Sequence, residues 1–512
     1  MTLAWALFVA YLLATTWLGW LGHRQTKGFG SFALGDRAMH PVVVGITLAA
    51  STASAATFIV NPGFVYVDGF SAWFHFVPGV VIGLASMLYV LSPRFRRIGS
   101  ASGALTIPDW IGKRYGSRFF ALYFSLVSLL SFAFVVLLVG GISIVMQQLL
   151  GIDNKTALAI TLIFVTGYVF VGGTYAHVLT NMLQGSLMIG VTLLVLGSCV
   201  WVIATNETSL FEALNAADSN LLAPVNRDGA LFSDVFSIYV AGFVIGAVVA
   251  CQPHILTKAL YVDSDRDVGR YLGIFTVVFA LFAMLVSVGF IAHLVVPDEA
   301  LVDATTGRFR QDLVMTVYLQ TLFPDWVFTI IAVVLLAAAM STLDGLLVSL
   351  STITANDLVL NALPTSLRGR LGAEGQMRVA MWASHGVLVV IAIAAYLINL
   401  SPPRLLGVFG QVGVYGLSAA LAPPLIAGVF FAKPRLSIVA TLSVFALGGH
   451  FLLFAFGAQW FPSVDLKFSN PGVTAAIAAL LTLPWLALHP RSAAAANANG
   501  ADSRQDAAPT PD

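Results

Sequence analysis

Long runs of apolar residues, separated by short polar connections, recur along almost the whole chain. An α-helix needs about 20 mostly apolar residues to cross the hydrocarbon core of a bilayer. The pattern therefore predicts an all-α polytopic membrane protein with about thirteen membrane-spanning helices. The predicted spans lie at about 3–22, 41–67, 72–92, 120–149, 155–173, 182–204, 235–260, 271–296, 326–357, 379–399, 405–431, 435–456 and 472–489.

Two of these runs are interrupted by small polar residues and proline. The second contains the stretch 49–57 followed by Asn61-Pro62-Gly63, and the seventh contains Cys251-Gln252-Pro253-His254. Such residues free backbone carbonyls, which is tolerated at membrane depth only where the backbone lines a cavity. Close helix packing through small residues is the alternative for either stretch alone. Two interrupted spans five apart favour an inverted-repeat transporter with a binding site near the bilayer midplane.

The ninth run places two hydroxyl groups on one helix face. Ala338, Ser341 and Thr342 are spaced i, i+3 and i+4, so they share that face and offer oxygen atoms with little steric bulk. The face is predicted to be half of a small cation site, unless each hydroxyl bonds back to its own helix. Asp344, one turn beyond Ser341, is the only carboxylate that we place deep within a span, and a buried acid in a bilayer is costly and usually functional.

Composition supports the membrane prediction and limits the other possibilities. The 512 residues are 58% hydrophobic and 10% charged, whereas soluble domains have about 25% charged residues. Cys199 and Cys251 both fall inside predicted spans and indicate neither a disulfide framework nor a metal site. We expect no nucleic-acid partner and no obligate protein partner.

The basic residues are distributed unevenly between the two sides of the membrane. When connections are assigned alternately, one side receives 19 of the 25 Lys and Arg residues and the other receives 6. The positive-inside rule then predicts that the N-terminus is outside and the C-terminus is cytoplasmic, which requires an odd number of spans.

The chain is predicted to form one transmembrane domain, residues 1–490, followed by a disordered cytoplasmic tail, residues 491–512. The connections at about 205–234 and 297–325 are predicted to be surface loops. The segment 106–116 has a capping-like start and one apolar face, which predicts a short helix along the membrane surface.

Four segments in this order resemble the sodium/solute symporter family, in particular its proline, pantothenate and monocarboxylate branches. The resemblance covers about residues 1–490. The matching segments are Phe32-Ala33-Leu34-Gly35-Asp36-Arg37, Gly172-Gly173 followed by Thr180-Asn181 and Gln184, Gln252-Pro253-His254, and Met340-Ser341-Thr342 followed by Asp344.

The resemblance implies a leucine-transporter-type fold with two inverted five-helix repeats, at about 41–204 and 235–431. It also implies a sodium site between the break in span two and the hydroxyl groups of span nine. Sodium is then the coupling ion, and no other cofactor is expected. The implied ligands are the backbone carbonyls of Ala50, Ala53 and Ala338 and the hydroxyl groups of Ser341 and Thr342.

Two residues bear on how many sodium ions are coupled. The family usually has aspartate where this chain has Asn181. Asparagine keeps an oxygen but loses the charge, so we expect one sodium ion per cycle. Asp344 is the candidate that compensates for the missing acid, although a hydrogen bond to a neighbouring span is the alternative.

The resemblance places the solute at the midplane, in contact with Thr57, Gln252, His254 and Gln411, with Trp73 in an outer lid. His254 is expected to close the inner side. The alternatives are a packed histidine and an interhelical hydrogen bond from Gln411. Because no paired basic residues are predicted to face this site, we expect a small monocarboxylate, an amino acid such as proline, or a pantothenate-like acid.

These inferences predict a sodium-coupled secondary active symporter that imports a small organic solute by alternating access, in the inner membrane of a bacterium. Proton coupling, with Asp344 or His254 titrating, is the alternative within the same fold. A transporter-like sensor is disfavoured by the short tail. A membrane enzyme is disfavoured because the sequence has no metal cluster, nucleophile elbow or phosphate-binding loop.

Overall fold

The computed structural model describes residues 2–54, 56–229, 231–302, 309–402 and 406–488, and these residues form helices. The predicted tail at 491–512 lies outside the described residues. Within them the regular structure other than helix is one isolated β-bridge between Val302 and Phe309. The helices in the first half are α1 Thr2–Gln25, α2 Phe29–Leu34, α3 Pro41–Thr52, α4 Ala56–Asp68, α5 Phe70–Ser102, α6 Ile107–Tyr115, α7 Arg118–Gln147, α8 Asn154–Thr205 and α9 Leu210–Ala217. Those in the second half are α10 Phe236–Val249, α11 Pro253–Tyr261, α12 Asp265–Val295, α13 Val314–Leu322, α14 Asp325–Val359, α15 Gly369–Asn399, α16 Gly407–Phe430, α17 Leu436–Trp460 and α18 Pro471–Leu488.

Ten helices in the described part of the chain are long and apolar enough to cross a membrane, or twelve if each bent helix pair is one span. The predicted number of thirteen is not confirmed. The difference lies in α8, whose 52 residues contain both the predicted span 155–173 and the predicted span 182–204. Gly173, between them, has φ 51° and ψ −135°, so the helix axis changes there. A Cβ at Gly173 would lie 2.5 Å from the ring of Phe32, which leaves room only for glycine.

The two interrupted runs form the two bent pairs. The pair α3 and α4 bends by 59°, and the pair α10 and α11 bends by 62°. Ala53 leaves the helical region at φ −80° and ψ 85°, while Gln252 is extended and precedes Pro253, the first residue of α11. Proline at the first helical position needs no N–H partner there, so it starts the second half of the broken helix.

Glycines bring α5 and α10 into backbone contact. Gly79 and Gly83 on α5, and Gly242 and Gly246 on α10, are each four residues apart and face the other helix. A Cβ at Gly83 would meet the carbonyl oxygen of Phe243, and one at Gly246 would meet that of Val80. This arrangement is the small-residue packing by which membrane helices approach closely.

The helix predicted at 106–116 is confirmed as α6. The hydroxyl of Thr106 accepts a hydrogen bond of 3.0 Å from the Asp109 N–H at its start, and Trp110 is buried on its apolar face. The connections predicted as plain loops contain helices α9 and α13, so that prediction was wrong there. Ser209 and Glu212 form a capping box at the start of α9, and the hydrogen bonds from Ser209 hold the pKa of Glu212 below its usual value.

Candidate functional site

The end of α3 meets the middle of α14 through the hydroxyl of Ser341. This group donates to the carbonyl oxygen of Ala50 at 2.9 Å and to that of Ala338 at 2.7 Å. Ala53, the third predicted carbonyl ligand, is fully buried where α3 ends. The Thr342 hydroxyl is buried as well and has no hydrogen-bond partner among the residues that the structure describes. The hydrogen bonds of Ser341 therefore connect three of the five predicted sodium ligands, namely Ala50, Ala338 and Ser341.

The chemistry of this group fits a monovalent cation. A buried hydroxyl without a partner costs about 1–3 kcal/mol, and a cation held by the Thr342 oxygen would remove that cost. Ser341 does bond back to its own helix, as the alternative required, but it also reaches Ala50 on α3. The oxygens are uncharged, and hard cations prefer oxygen ligands.

A cavity of about 140 Å³ lies next to these oxygens. Four of the five predicted solute contacts line it, namely Thr57, Gln252, His254 and Gln411, and Thr342 lines it too. The described residues that form its wall include no Asp, Glu, Lys or Arg. The wall thus combines apolar side chains with uncharged polar ones.

Trp73 lies outside this lining, because its indole N–H donates to the hydroxyl of Ser287 at 3.0 Å. His75 and Phe76 form the wall instead. The backbone from His75 to Val80 has π-helical turns around Pro78, which shift the direction of successive side chains. The sequence analysis assumes a uniform helical period, so it could not predict this shift in side-chain direction.

Two polar side chains in the wall keep hydrogen-bonding capacity. The Gln252 side-chain NH₂ donates to the hydroxyl of Ser418 at 3.1 Å. The Nδ1 atom of His254 is buried and has no hydrogen-bond partner in the described part of the chain. His75 is different, because its Nδ1 atom lies 2.7 Å from the Ser237 carbonyl oxygen and is therefore occupied.

Asp344 lies outside the cavity, in a buried network between α14 and α8. Its carboxylate accepts from Tyr168 at 3.0 Å and from Thr180 at 3.2 Å, and lies 2.9 Å from Nδ1 of His177. The side-chain NH₂ of Asn181 lies 3.4 Å from the same carboxylate. The predicted hydrogen bond from Asp344 to a neighbouring span is therefore present.

Asn181 also connects this network to the oxygen-lined contact. Its NH₂ group donates to the backbone carbonyl of Ser341 at 3.0 Å, while its own side-chain oxygen is buried without a partner. The two candidate coupling residues thus lie beside one of the predicted sodium ligands.

Two further carboxylates are buried in the protein, Asp68 at the last residue of α4 and Asp357 near the end of α14. Lys258, near the end of α11, is 1% exposed, which is unusual for a lysine. Lys258 and His177 were both missed. Their spacing held a signal, since each lies four residues from a polar residue already singled out, His254 and Asn181 respectively.

The broken helices, the buried oxygens where they meet and the uncharged cavity beside them define a membrane protein of the secondary-transporter class. The sequence model of the sodium:solute symporter family matches residues 32–437, and the chain belongs to that family. It is thus a sodium-coupled symporter of a small organic solute and not an enzyme.

Relatives of known activity agree with this class. The chain is 27% identical over 448 residues to the sodium/pantothenate symporter of Haemophilus influenzae, a match that covers 86% of this chain and 87% of the relative. It is 26% identical over 438 residues to the sodium/proline symporter of Escherichia coli, with 83% and 82% covered.

A solved structure shows the same fold. The structure of a Na⁺-coupled sialic acid symporter, in a substrate-bound outward-open state, superposes with a TM-score of 0.72 at 18% identity. The match covers 95% of this chain and 98% of that chain. The expected all-helical, leucine-transporter-type fold is confirmed.

Proposed function

We propose that this protein imports a small monocarboxylate, an amino acid such as proline, or a pantothenate-like acid, together with one sodium ion. The position of Thr342 is the observation that carries the proposal. Its unpartnered hydroxyl lies next to the Ser341 contact with α3 and also lines the cavity. One side chain would then contact both the ion and the solute compartment, so that filling one site favours filling the other.

The uncharged wall of the cavity supports this solute class. A dianion or phosphate ester would need basic side chains, and none of the described residues in the wall is basic. Thr57 and Gln411 are side chains in the wall whose hydrogen-bond donors suit a single carboxylate. A thermal-shift screen of small acids and amino acids, each with sodium and with choline, identifies the solute.

The arrangement in the membrane is also part of the proposal. We place the core repeats at about 41–204 and 235–431 within one transporter domain, 1–490, because each repeat then contains one broken helix near its start. The distribution of basic residues supports an N-terminus outside, a C-terminus in the cytoplasm and a location in the bacterial inner membrane.

Removing the two hydroxyl groups tests the sodium site. We expect Ser341→Ala with Thr342→Val to raise the sodium concentration for half-maximal uptake roughly tenfold or more, since each lost oxygen leaves the cation less well coordinated. The measurement is uptake into proteoliposomes across a range of sodium concentrations. Ser351→Ala is the matched control, because Ser351 is buried on the same helix and its hydroxyl bonds only to the Val348 carbonyl. An unchanged sodium dependence in the double variant would refute the site.

Proton coupling is the second candidate, and the buried network of Asp344, His177 and Lys258 favours it. The two candidates differ in one measurement. Uptake that persists when choline replaces sodium, and that follows an imposed pH gradient, supports proton coupling. Uptake that stops without sodium at every pH supports the sodium proposal.

A further inference from the structure

The buried ammonium group of Lys258 has one hydrogen-bond acceptor for each of its three protons. It lies 3.0 Å from the Ser51 hydroxyl, 3.0 Å from the His254 carbonyl oxygen and 3.2 Å from Nε2 of His177. These acceptors belong to α3, α11 and α8. The Lys258 side chain therefore joins both broken helices to α8, just beyond its kink at Gly173.

The charge of Lys258 is balanced through the imidazole ring. Nε2 of His177 lies 3.2 Å from the ammonium, and its Nδ1 atom lies 2.9 Å from the Asp344 carboxylate and 2.9 Å from the side-chain NH₂ of Asn181. The other titratable side chain that contacts this carboxylate is Tyr168, at 3.0 Å, and His254 faces Lys258 from the same helix turn. A positive and a negative charge are thus held apart by one neutral ring.

Each of the two broken-helix partners of Lys258 lies at a functional boundary. Ser51 follows Ala50, whose carbonyl is a proposed sodium ligand. His254 lines the central cavity and also a smaller cavity of about 20 Å³, which His177 and Thr106 line on the side of the basic connections. That volume holds about one water molecule, so His254 forms the partition between the solute compartment and the side predicted to be cytoplasmic.

We propose that Lys258 is the positioning residue that links sodium binding to closure of this inner partition. When sodium holds the end of α3 against α14, Ser51 is in place to accept from Lys258, and Lys258 in turn holds the His254 carbonyl. Departure of sodium releases the end of α3, and the partition opens with it. The proposal rests on the sodium site proposed above. It adds the contacts through which departure of the ion is transmitted to the inner partition.

A single cysteine at the smaller cavity reports the state of the partition. The chain has two cysteines, Cys199 and Cys251, and both are buried. In a background with both changed to alanine, Ser349→Cys places one thiol in the wall of the smaller cavity. The readout is the rate of alkylation by N-ethylmaleimide in choline divided by the rate in sodium, a sodium protection factor. Binding of ²²Na⁺ is measured on the same samples.

Ser51→Ala removes one partner of Lys258 and leaves every charge in place. We expect the sodium protection factor to fall toward one, by roughly tenfold, the factor that one hydrogen bond to a charged group represents. We expect sodium binding itself to stay within about twofold of the parent, because Ser51 is not one of the proposed sodium ligands. A twofold change corresponds to less than about 0.5 kcal/mol. The charge-balanced pair Lys258→Met with Asp344→Asn removes the whole link and produces the same loss of protection.

Thr52→Val is the matched control. The Thr52 hydroxyl bonds only to the Leu48 carbonyl of its own helix, so we expect its loss to leave the protection factor unchanged. Full protection in Ser51→Ala would overturn the link, and so would loss of ²²Na⁺ binding, because Lys258 would then belong to the ion site itself. Failure of the sodium site proposed above is distinct, since the parent protein would show neither binding nor protection.

Discussion

Lys258 and Asp344 are opposite buried charges that do not touch, because the ring of His177 lies between them. Removing one partner of a buried pair leaves the other uncompensated, whereas removing both is often close to neutral. Nε2 of His177 faces Lys258, and its Nδ1 atom faces both Asp344 and Asn181. The stability of the protein and the proposed closure of the inner partition therefore depend on the same three side chains, Lys258, His177 and Asp344.

This dependence has a direct test in stability. We expect Asp344→Asn to lower the free energy of unfolding by about 3 kcal/mol, because Lys258 is then a buried charge without a counter-ion. Adding Lys258→Met to that variant restores most of the loss. Thermal unfolding in detergent ranks the proteins.

Asp325→Asn is the control for this test, since Asp325 is exposed at the start of the same helix. It should change stability by less than about 1 kcal/mol. A double variant less stable than Asp344→Asn would contradict the pairing.

Some of these residues could be predicted from sequence, and others could not. The i, i+3, i+4 spacing of Ala338, Ser341 and Thr342 is local, so it survives into the structure as one helix face. His177 and Lys258 are 81 positions apart in the chain, and only the tertiary fold brings their side chains together. A polar residue in an apolar run is expected to have a polar partner inside the protein. The identity of that partner depends on tertiary packing, which cannot be predicted from the spacing of residues along the chain.

The helices α5 and α10 pack through two matching pairs of glycines. Each pair has the four-residue spacing of a small-residue contact motif, so the sequence contains the signal for this interface. The number of separate helices, in contrast, could not be predicted from the sequence. The turn at Gly173 depends on the approach of Phe32, and a hydropathy profile contains no information about that contact.

Substitution of one contact glycine tests the α5–α10 interface. We expect Gly246→Ala to destabilise the protein by about 1–3 kcal/mol, because its Cβ meets the Val80 carbonyl and the helices must separate. Thermal unfolding and the yield of monodisperse protein in detergent measure the effect.

For Gly197→Ala we expect no loss of stability. Gly197 lies within α8, and outside the backbone of that helix no group lies within 4 Å of the position that its methyl group would take. Alanine there should be neutral or stabilise the protein by up to about 1 kcal/mol. Equal effects of the two substitutions would show that the contact contributes nothing.

At the scale of the whole molecule, one sodium ion supplies a limited driving force. A membrane potential of 100 mV contributes roughly 2.3 kcal/mol per charge, and a tenfold sodium gradient contributes about 1.4 kcal/mol. Together they support roughly 500-fold accumulation of a solute without net charge. Asn181, in place of an acid, is the reason that we expect no second ion.

The voltage at which net flux of a zwitterionic solute stops measures the stoichiometry. Proteoliposomes receive a tenfold inward sodium gradient, an equal outward solute gradient and a potassium diffusion potential. With one sodium ion per solute the two gradients cancel and flux stops at zero voltage. Two sodium ions would shift that point to roughly 30 mV, inside positive, and would contradict the proposal.

The uncharged wall of the 140 Å³ cavity has an electrical consequence. The wall suits a zwitterion or a monocarboxylate, and the net charge moved per cycle is that of the ion and the solute alone, because the protein returns to its starting state. A zwitterion would generate an inward current that grows with membrane potential. A monocarboxylate with one sodium ion would generate none, and a tenfold sodium gradient could concentrate it only about tenfold. The presence or absence of current on adding solute therefore separates amino acids from simple acids without any labelled substrate.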